Sequence, residues 1–361
     1  MANRTIAIAT LTRYAVARSL FAPTTLLAAI ERLGFVQADP IRAPARAQDL
    51  TLRHRVQDYR AGDLERQYPA LPIEEDFFVN YGFLPRATHA LMHPRTPRTR
   101  WSKSRRARAD EVLAFVRERG VVHPREVDAY FQHGKVNNWF GGSSNASTAL
   151  LDGMHYRGLL RIARREGGTR LYAARDAHGP VPDPAAAMDV LLDVIVAKYA
   201  PLPAASLSQL ASHLCSGAPQ WRHMRNAALA RARQRLPRAH AGGTDWVWPA
   251  GEDPAAPHHA VRDEARLLAP FDPVVWGRRR FELVWGWPYR FEAYTPPAKR
   301  RLGYYALPLL WRDRVVGWAN VGVRDGRLQP EVGFFGPRIG DPAFVTAVDD
   351  ELQRLHAFLG L

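Results

Sequence analysis

A single cysteine, Cys215, stands among 361 residues, which excludes an internal disulfide framework and any cysteine-rich zinc site. Long apolar runs are missing as well: no stretch approaches the roughly 20 residues that cross a bilayer. The opening residues, MANRTIAIAT, lack the pattern of a signal peptide, so the sequence predicts a soluble, cytoplasmic protein. No GxGxxG or P-loop sequence occurs, leaving dinucleotide and nucleoside-triphosphate chemistry without support. No HExxH occurs either, and His258-His259 fall in a proline-rich stretch, so neither metal nor cofactor is expected. Lysine is scarce, with only Lys103, Lys135, Lys198 and Lys299.

What is present in excess is positive charge. Fifty Lys and Arg against thirty-five Asp and Glu give a formal +15 and a pI near 10.4. Such a surplus favours a polyanionic partner, most commonly DNA or RNA. Arginine-biased codon usage in a GC-rich genome is the plainer source of the same surplus. The length allows two or three hydrophobic cores, and the hydrophobic fraction of 47% is that of a folded globular chain.

Patterning divides the chain into four predicted parts: 1–100, 101–180, 181–262 and 263–361. In the first, Thr24-Thr25 can cap a helix through Leu26, Leu27, Ile30 and Leu33 that Gly34 ends. The tract RTPRTRWSKSRRAR, Arg95 to Arg108, reads as a basic connector that is either a solvated linker or a track for a phosphate backbone. Beyond it, helical periodicity runs over Ala109–Glu118. Pro124 opens a second helix, and Ser143 and Ser144 are set to cap a third over Asn145–Tyr156. Two strands flanking Glu166-Gly167-Gly168 then complete the helix-helix-helix-hairpin order of a winged helix. The third part repeats the theme, with helices over Ala187–Tyr199, Ser206–His213 and Gln220–Arg235, a strand in TDWVWPA and a linker in GEDPAAPHHA. After Arg262 the runs FELVWGW, YRFEAY, GYYALPLLW, RVVGWANVGV and EVGFF predict a small antiparallel sheet or barrel, closed by an amphipathic helix over Asp341–Leu359.

One spot carries chemistry. Pro40 biases Asp39 towards extended backbone, which puts Gln37 and Asp39 on one face about 7 Å apart, with Val36 and Ala38 towards the core. A carboxylate beside an amide suits hydrolysis, because one can deprotonate a water that the other orients. From spacing alone the plainer reading prevails: a capping Asp and an exposed Gln before a proline turn. Close by, Arg46, Arg53 and Arg55, with Gln48 and Asp49, are candidates for clamping phosphates or for ion pairs on a surface helix. The aromatic set Trp276, Trp285, Trp287, Tyr304, Tyr305, Trp311 and Trp318 reads as core before it reads as a stacking platform.

Over ERLGFVQADPIRAPARAQDLTLRHR, and again over LLAPFDPVVWGRRRFELVWGWPYRFEAYTPPAKRRLGYYALPLLWRDRVVG, the chain closely resembles a family of winged-helix DNA glycosylases. These are the alkylpurine and interstrand-crosslink glycosylases of the AlkZ and YcaQ type. The resemblance runs through nearly the whole chain in order. It implies an α+β fold of three tandem winged-helix units followed by a small antiparallel β-barrel, C-shaped around a basic cleft. It also implies that Gln37-Ala38-Asp39 is the family's catalytic motif in its Asp form. The expected activity is hydrolysis of the N-glycosidic bond of N7-alkylated purines, bulky adducts and crosslinks included, by a monomer without a cofactor acting on double-stranded DNA. Arg46, Arg53, Arg55, Arg98, Arg100, Lys103, Arg105, Arg106, Arg164, Arg165 and Arg170 are the residues expected to hold the nucleic acid. A non-enzymatic winged-helix DNA-binding protein, such as a transcription regulator, is the alternative.

Overall fold

A computed structural model describes residues 4–97, 99–137, 143–176 and 179–361. It is an α+β chain whose residues gather into two compact units. One comprises Met1–Leu64, Leu192–Leu210 and Leu229–Leu361; the other comprises Glu65–Leu191 and Ala211–Ala228. Among the described residues no helix is long and apolar enough to cross a membrane.

In the first unit the helix Ile8–Ser19 is amphipathic on two sides and serves two cores. Leu11 and Tyr14 pack with Ala239, Trp246 and Trp248, which lie on or beside the hairpin Arg238–Ala241 and Thr244–Val247. Val16, with Leu20 just beyond the helix, packs with Leu268, Phe281, Trp287 and Leu310 near the C-terminal sheet. The next helix, Leu26–Leu33, begins where the sequence places it, because the Thr25 hydroxyl accepts from the Ala28 N–H at 3.3 Å. It stops at Gly34, which takes φ 66°. Only glycine suits that turn, since a Cβ there would also meet Val194 Cγ1 at 2.7 Å. The chain then turns directly into the short strand Val36–Gln37.

The expected barrel does not close. Four strands, Ala265–Leu267, Leu307–Trp311, Arg314–Arg324 and Arg327–Phe334, form an open antiparallel sheet in sequence order, and among the described residues nothing pairs the first to the last. Two of the runs read as strands are not strands. FELVWGW lies in the helix Arg278–Trp285 and its exit, where the Phe281 and Trp285 rings meet one turn apart and Gly286, at φ 80°, ends the helix. YRFEAY is irregular backbone. The closing helix, Pro342–Leu359, forms as expected, capped by Asp341, and its buried Glu351 accepts from the Leu267 N–H at 2.7 Å.

The second unit holds the helices Lys103–Arg119, Pro124–Phe131 and Ala146–Tyr156, followed by the hairpin Leu160–Glu166 and Thr169–Ala174, to which Val121–Val122 adds a third strand. The cap of the third helix is Asn145, whose side chain accepts from the Ser147 N–H at 2.8 Å. The first helix starts at Lys103, six residues before the apolar periodicity, because Ser102 caps it. The basic tract is therefore part helix. At its head, Arg95 is buried, with both terminal nitrogens on Asp76 at 3.1 Å. The supposed linker GEDPAAPHHA is likewise tied down in the first unit, where Glu252 accepts from Tyr14 and Arg18.

Candidate active site

Gln37 ends the strand Val36–Gln37, and both it and Asp39 are buried, at 6% and 9% exposure. The sequence suggested an exposed pair. Burial follows from the surroundings: the helix Ala47–Leu52 packs back over the turn, and the Gln48 side-chain oxygen accepts from the Asp39 N–H at 3.2 Å. One Asp39 oxygen accepts from the Ile41 N–H at 2.9 Å. Desolvation pushes the Asp39 carboxyl above its ordinary pKa, and the Ile41 N–H only partly offsets this. A carboxylate raised in this way is a stronger base than one in water.

Three tyrosines from the aromatic C-terminal region complete the surroundings. The Asp39 charge raises the pKa of both Tyr305 and Tyr294, so both remain neutral phenols, although burial is the larger cause for each. Tyr305 is 2% exposed and its hydroxyl has no hydrogen-bond partner among the described residues. Tyr294 is 77% exposed, and Phe291 holds its ring edge-on at 5.9 Å and that of Tyr305 at 5.1 Å. Tyr304 is also exposed, with the Arg300 guanidinium 5.0 Å from its ring centre. The site thus joins a desolvated carboxylate, an amide, an orphan hydroxyl and exposed rings in one unit. Tyr305 was read as core and Tyr294 as a strand residue. Nothing in their spacing signals Asp39, some 255 residues earlier.

Five of the eleven expected phosphate ligands have partners within the protein. Arg55 is fully buried and forms a bidentate pair with Asp272 at 2.8 and 2.9 Å, while also donating to the Ser19 and Thr51 carbonyls. Arg53 is buried on Glu351 and the Leu267 carbonyl. Both are corrected to structural residues, since each side chain is buried and already committed to acceptors of the protein itself. Arg165 is likewise held by the buried Glu75. Arg164 pairs with Glu166 at 2.9 Å, and Arg170 with Asp152 at 3.2 Å. Arg46 is half-buried at the N-cap position of the helix Ala47–Leu52. Arg98 lies outside the described residues. Arg100, Lys103, Arg105 and Arg106 do face solvent, three of them in the first turn of the helix Lys103–Arg119. Cations oppose the helix dipole there, so their gathering is a local cost that a bound polyanion would offset.

Among the described residues, one group has the makings of a metal site: Asp76, His89 and His93, all buried in the second unit. Both imidazole Nε2 atoms lie 3.0 Å from the same Asp76 oxygen, and Arg95 takes both carboxylate oxygens. Burial lowers the pKa of both histidines, His93 to about 3, so each neutral ring spends its Nε2 proton on Asp76. With its lone pairs so committed and a guanidinium alongside, the group suits a closed polar network better than a cation.

Comparison with known proteins adds two findings. Residues 30–358 match the family model described as DNA glycosylase AlkZ-like. The fold is similar to that of Streptomyces sahachiroi DNA glycosylase AlkZ, with a TM-score of 0.66 at 15% identity over 99% of this chain and 98% of that one.

Proposed function

The chain belongs to the AlkZ-like DNA glycosylase family, and on that premise we propose that it repairs double-stranded DNA by excising N7-alkylated purines, bulky adducts and interstrand crosslinks included. The observation that carries the reading is the desolvated Asp39 carboxylate set beside Gln37. A purine alkylated at N7 is already cationic, so its departure needs little proton donation. The C1′–N9 bond breaks, its electron pair goes to the base, and an oxocarbenium-like sugar remains. Asp39 faces that cation, stabilises it and takes a proton from the water whose oxygen bonds to C1′. Gln37 orients the same water, and the unpartnered Tyr305 hydroxyl, which the Asp39 charge reaches, is a second group able to hold it. Tyr294 and Tyr304 offer open faces for the sugar or the adduct. An open rim of this kind suits lesions too large for a closed base pocket.

The reaction ends at base release. Strand cutting by a glycosylase uses an amine that forms a Schiff base with the sugar. Lys198, which donates to the Phe35 carbonyl just before the strand, is buried, and the cavity it lines lies away from Asp39. The test is incubation with a duplex containing 7-methylguanine, assayed for free base and for strand breaks before and after alkali. Free base with breaks only after alkali supports the reading. A borohydride-trapped protein–DNA adduct refutes the single-activity part, and absence of base release from any N7-alkylated duplex refutes the whole.

A further inference from the structure

A cavity of about 370 Å³ opens in the first unit beside the helix Ile8–Ser19, away from the groups assigned to the reaction. Its donors outnumber its free acceptors. Glu252, one of its two carboxylates, is already taken: Arg18 bonds both oxygens at 2.8 and 3.0 Å and Tyr14 adds a bond at 2.6 Å. Asp253 is paired with Arg4 at 3.0 Å. Two cations on the wall remain without a carboxylate partner among the described residues. Arg32 rests on the Phe21 ring at 4.2 Å, and Lys198 donates one proton to the Phe35 carbonyl. Lys198 is 2% exposed, and an ammonium there has two further N–H groups to satisfy. On the same wall, the Ser19 hydroxyl is 3% exposed and has no hydrogen-bond partner among the described residues.

Buried donors left unsatisfied are costly, and groups of this kind in a cavity wall mark where a complementary ligand sits. We propose that this cavity binds a small oxyanion, a phosphate or carboxylate group, held by Lys198, Arg32 and the Ser19 hydroxyl. The oxygens would supply the acceptors that Lys198 and Ser19 lack, and the negative charge would relieve Arg32, whose pKa is lowered by desolvation and by the neighbouring Arg18. Without such a ligand, burial and Arg55 lower the Lys198 amine to about 7, leaving much of it neutral near physiological pH. An occupied site keeps it charged. Because Lys198 bonds the Phe35 carbonyl, two residues before Gln37, occupancy reaches the strand that carries the reaction pair.

With four lysines in the chain, reductive methylation read by peptide mass spectrometry reports Lys198 individually in the full-length protein. At neutral pH and fixed ionic strength, the expected result is labelling of Lys198 that disappears, saturably, as inorganic phosphate replaces chloride. Lys103, Lys135 and Lys299 should label equally in both. Ser19→Ala and Arg32→Ala should each weaken the protecting concentration about ten-fold, the worth of one hydrogen bond to a charged group. A parallel arm uses a short undamaged duplex. Protection by inorganic phosphate assigns a free oxyanion, whereas protection by the duplex alone assigns a backbone phosphate to the same donors. The proposal is overturned if Lys198 labels to the same extent with and without either probe, or if it never labels, which would mean a cavity closed to small solutes.

Discussion

Asp39→Asn is the substitution that tests the site most directly, because the structure says what it leaves intact. Asparagine keeps an oxygen for the Ile41 N–H, and the Gln48 side chain still accepts from the backbone N–H of residue 39. What disappears is the charge. Losing a positioned general base costs about 10²- to 10⁴-fold, or roughly 3 to 5 kcal/mol of barrier. Single-turnover release of 7-methylguanine should fall by that factor while duplex affinity stays level. Stability should hold or rise. The folded protein raises the Asp39 pKa, so the fold is favoured below the unfolded value and loses that contribution as pH climbs through the folded value. The neutral side chain escapes this cost. The same shift sets the pH profile: wild-type excision should rise as Asp39 ionises, with a midpoint above that of an ordinary aspartate, and the variant should be flat across that range. The assay pairs the rate with a binding titration and a thermal melt. If folded, DNA-bound Asp39→Asn excises at the wild-type rate, the catalytic assignment is wrong.

Further outcomes follow from the same geometry. Gln37→Ala should slow excision less than Asp39→Asn, since a cationic leaving group makes water attack only part of the barrier; an equal or larger loss in single-turnover assays would reverse the two roles. Tyr305→Phe should cost about five- to ten-fold in rate, the worth of one hydrogen bond, without a change in Tm, and an unchanged rate would return Tyr305 to the core. Replacing Arg100, Lys103, Arg105 and Arg106 with alanine should flatten the dependence of binding on salt by about 0.9 in log–log slope for each phosphate no longer neutralised; an unchanged slope would free these residues from that role. Arg55→Met should instead destabilise the fold by about 3 to 5 kcal/mol in denaturant titration, because it strands the buried Asp272, and should leave the salt slope alone.

How far the sequence could be read depended on how local the governing physics is. The helix Leu26–Leu33 was legible to its last residue, because Thr25 and Gly34 act within one turn of it. The terminal helix and the hairpin around Gly167-Gly168 were legible for the same reason. FELVWGW was misread because a short run so dense in apolar and aromatic residues fits either period, and the choice between them was made by burial of Phe281 against Val16 and Leu310. Arginine shows the limit most clearly. Arg46, Arg53 and Arg55 look alike as a basic run, yet two of them are consumed by Asp272 and Glu351, more than 200 residues away, and no local pattern announces a partner at that distance. The site divides along the same line. From Pro40 and strand geometry the sequence yields only the expectation that Gln37 and Asp39 share a face. That Asp39 is desolvated, and so a better base, and that its charge reaches Tyr305, depend on the return of Gln48 and the C-terminal aromatics. The proposed chemistry therefore gains its footing only where tertiary structure removes water from one carboxylate.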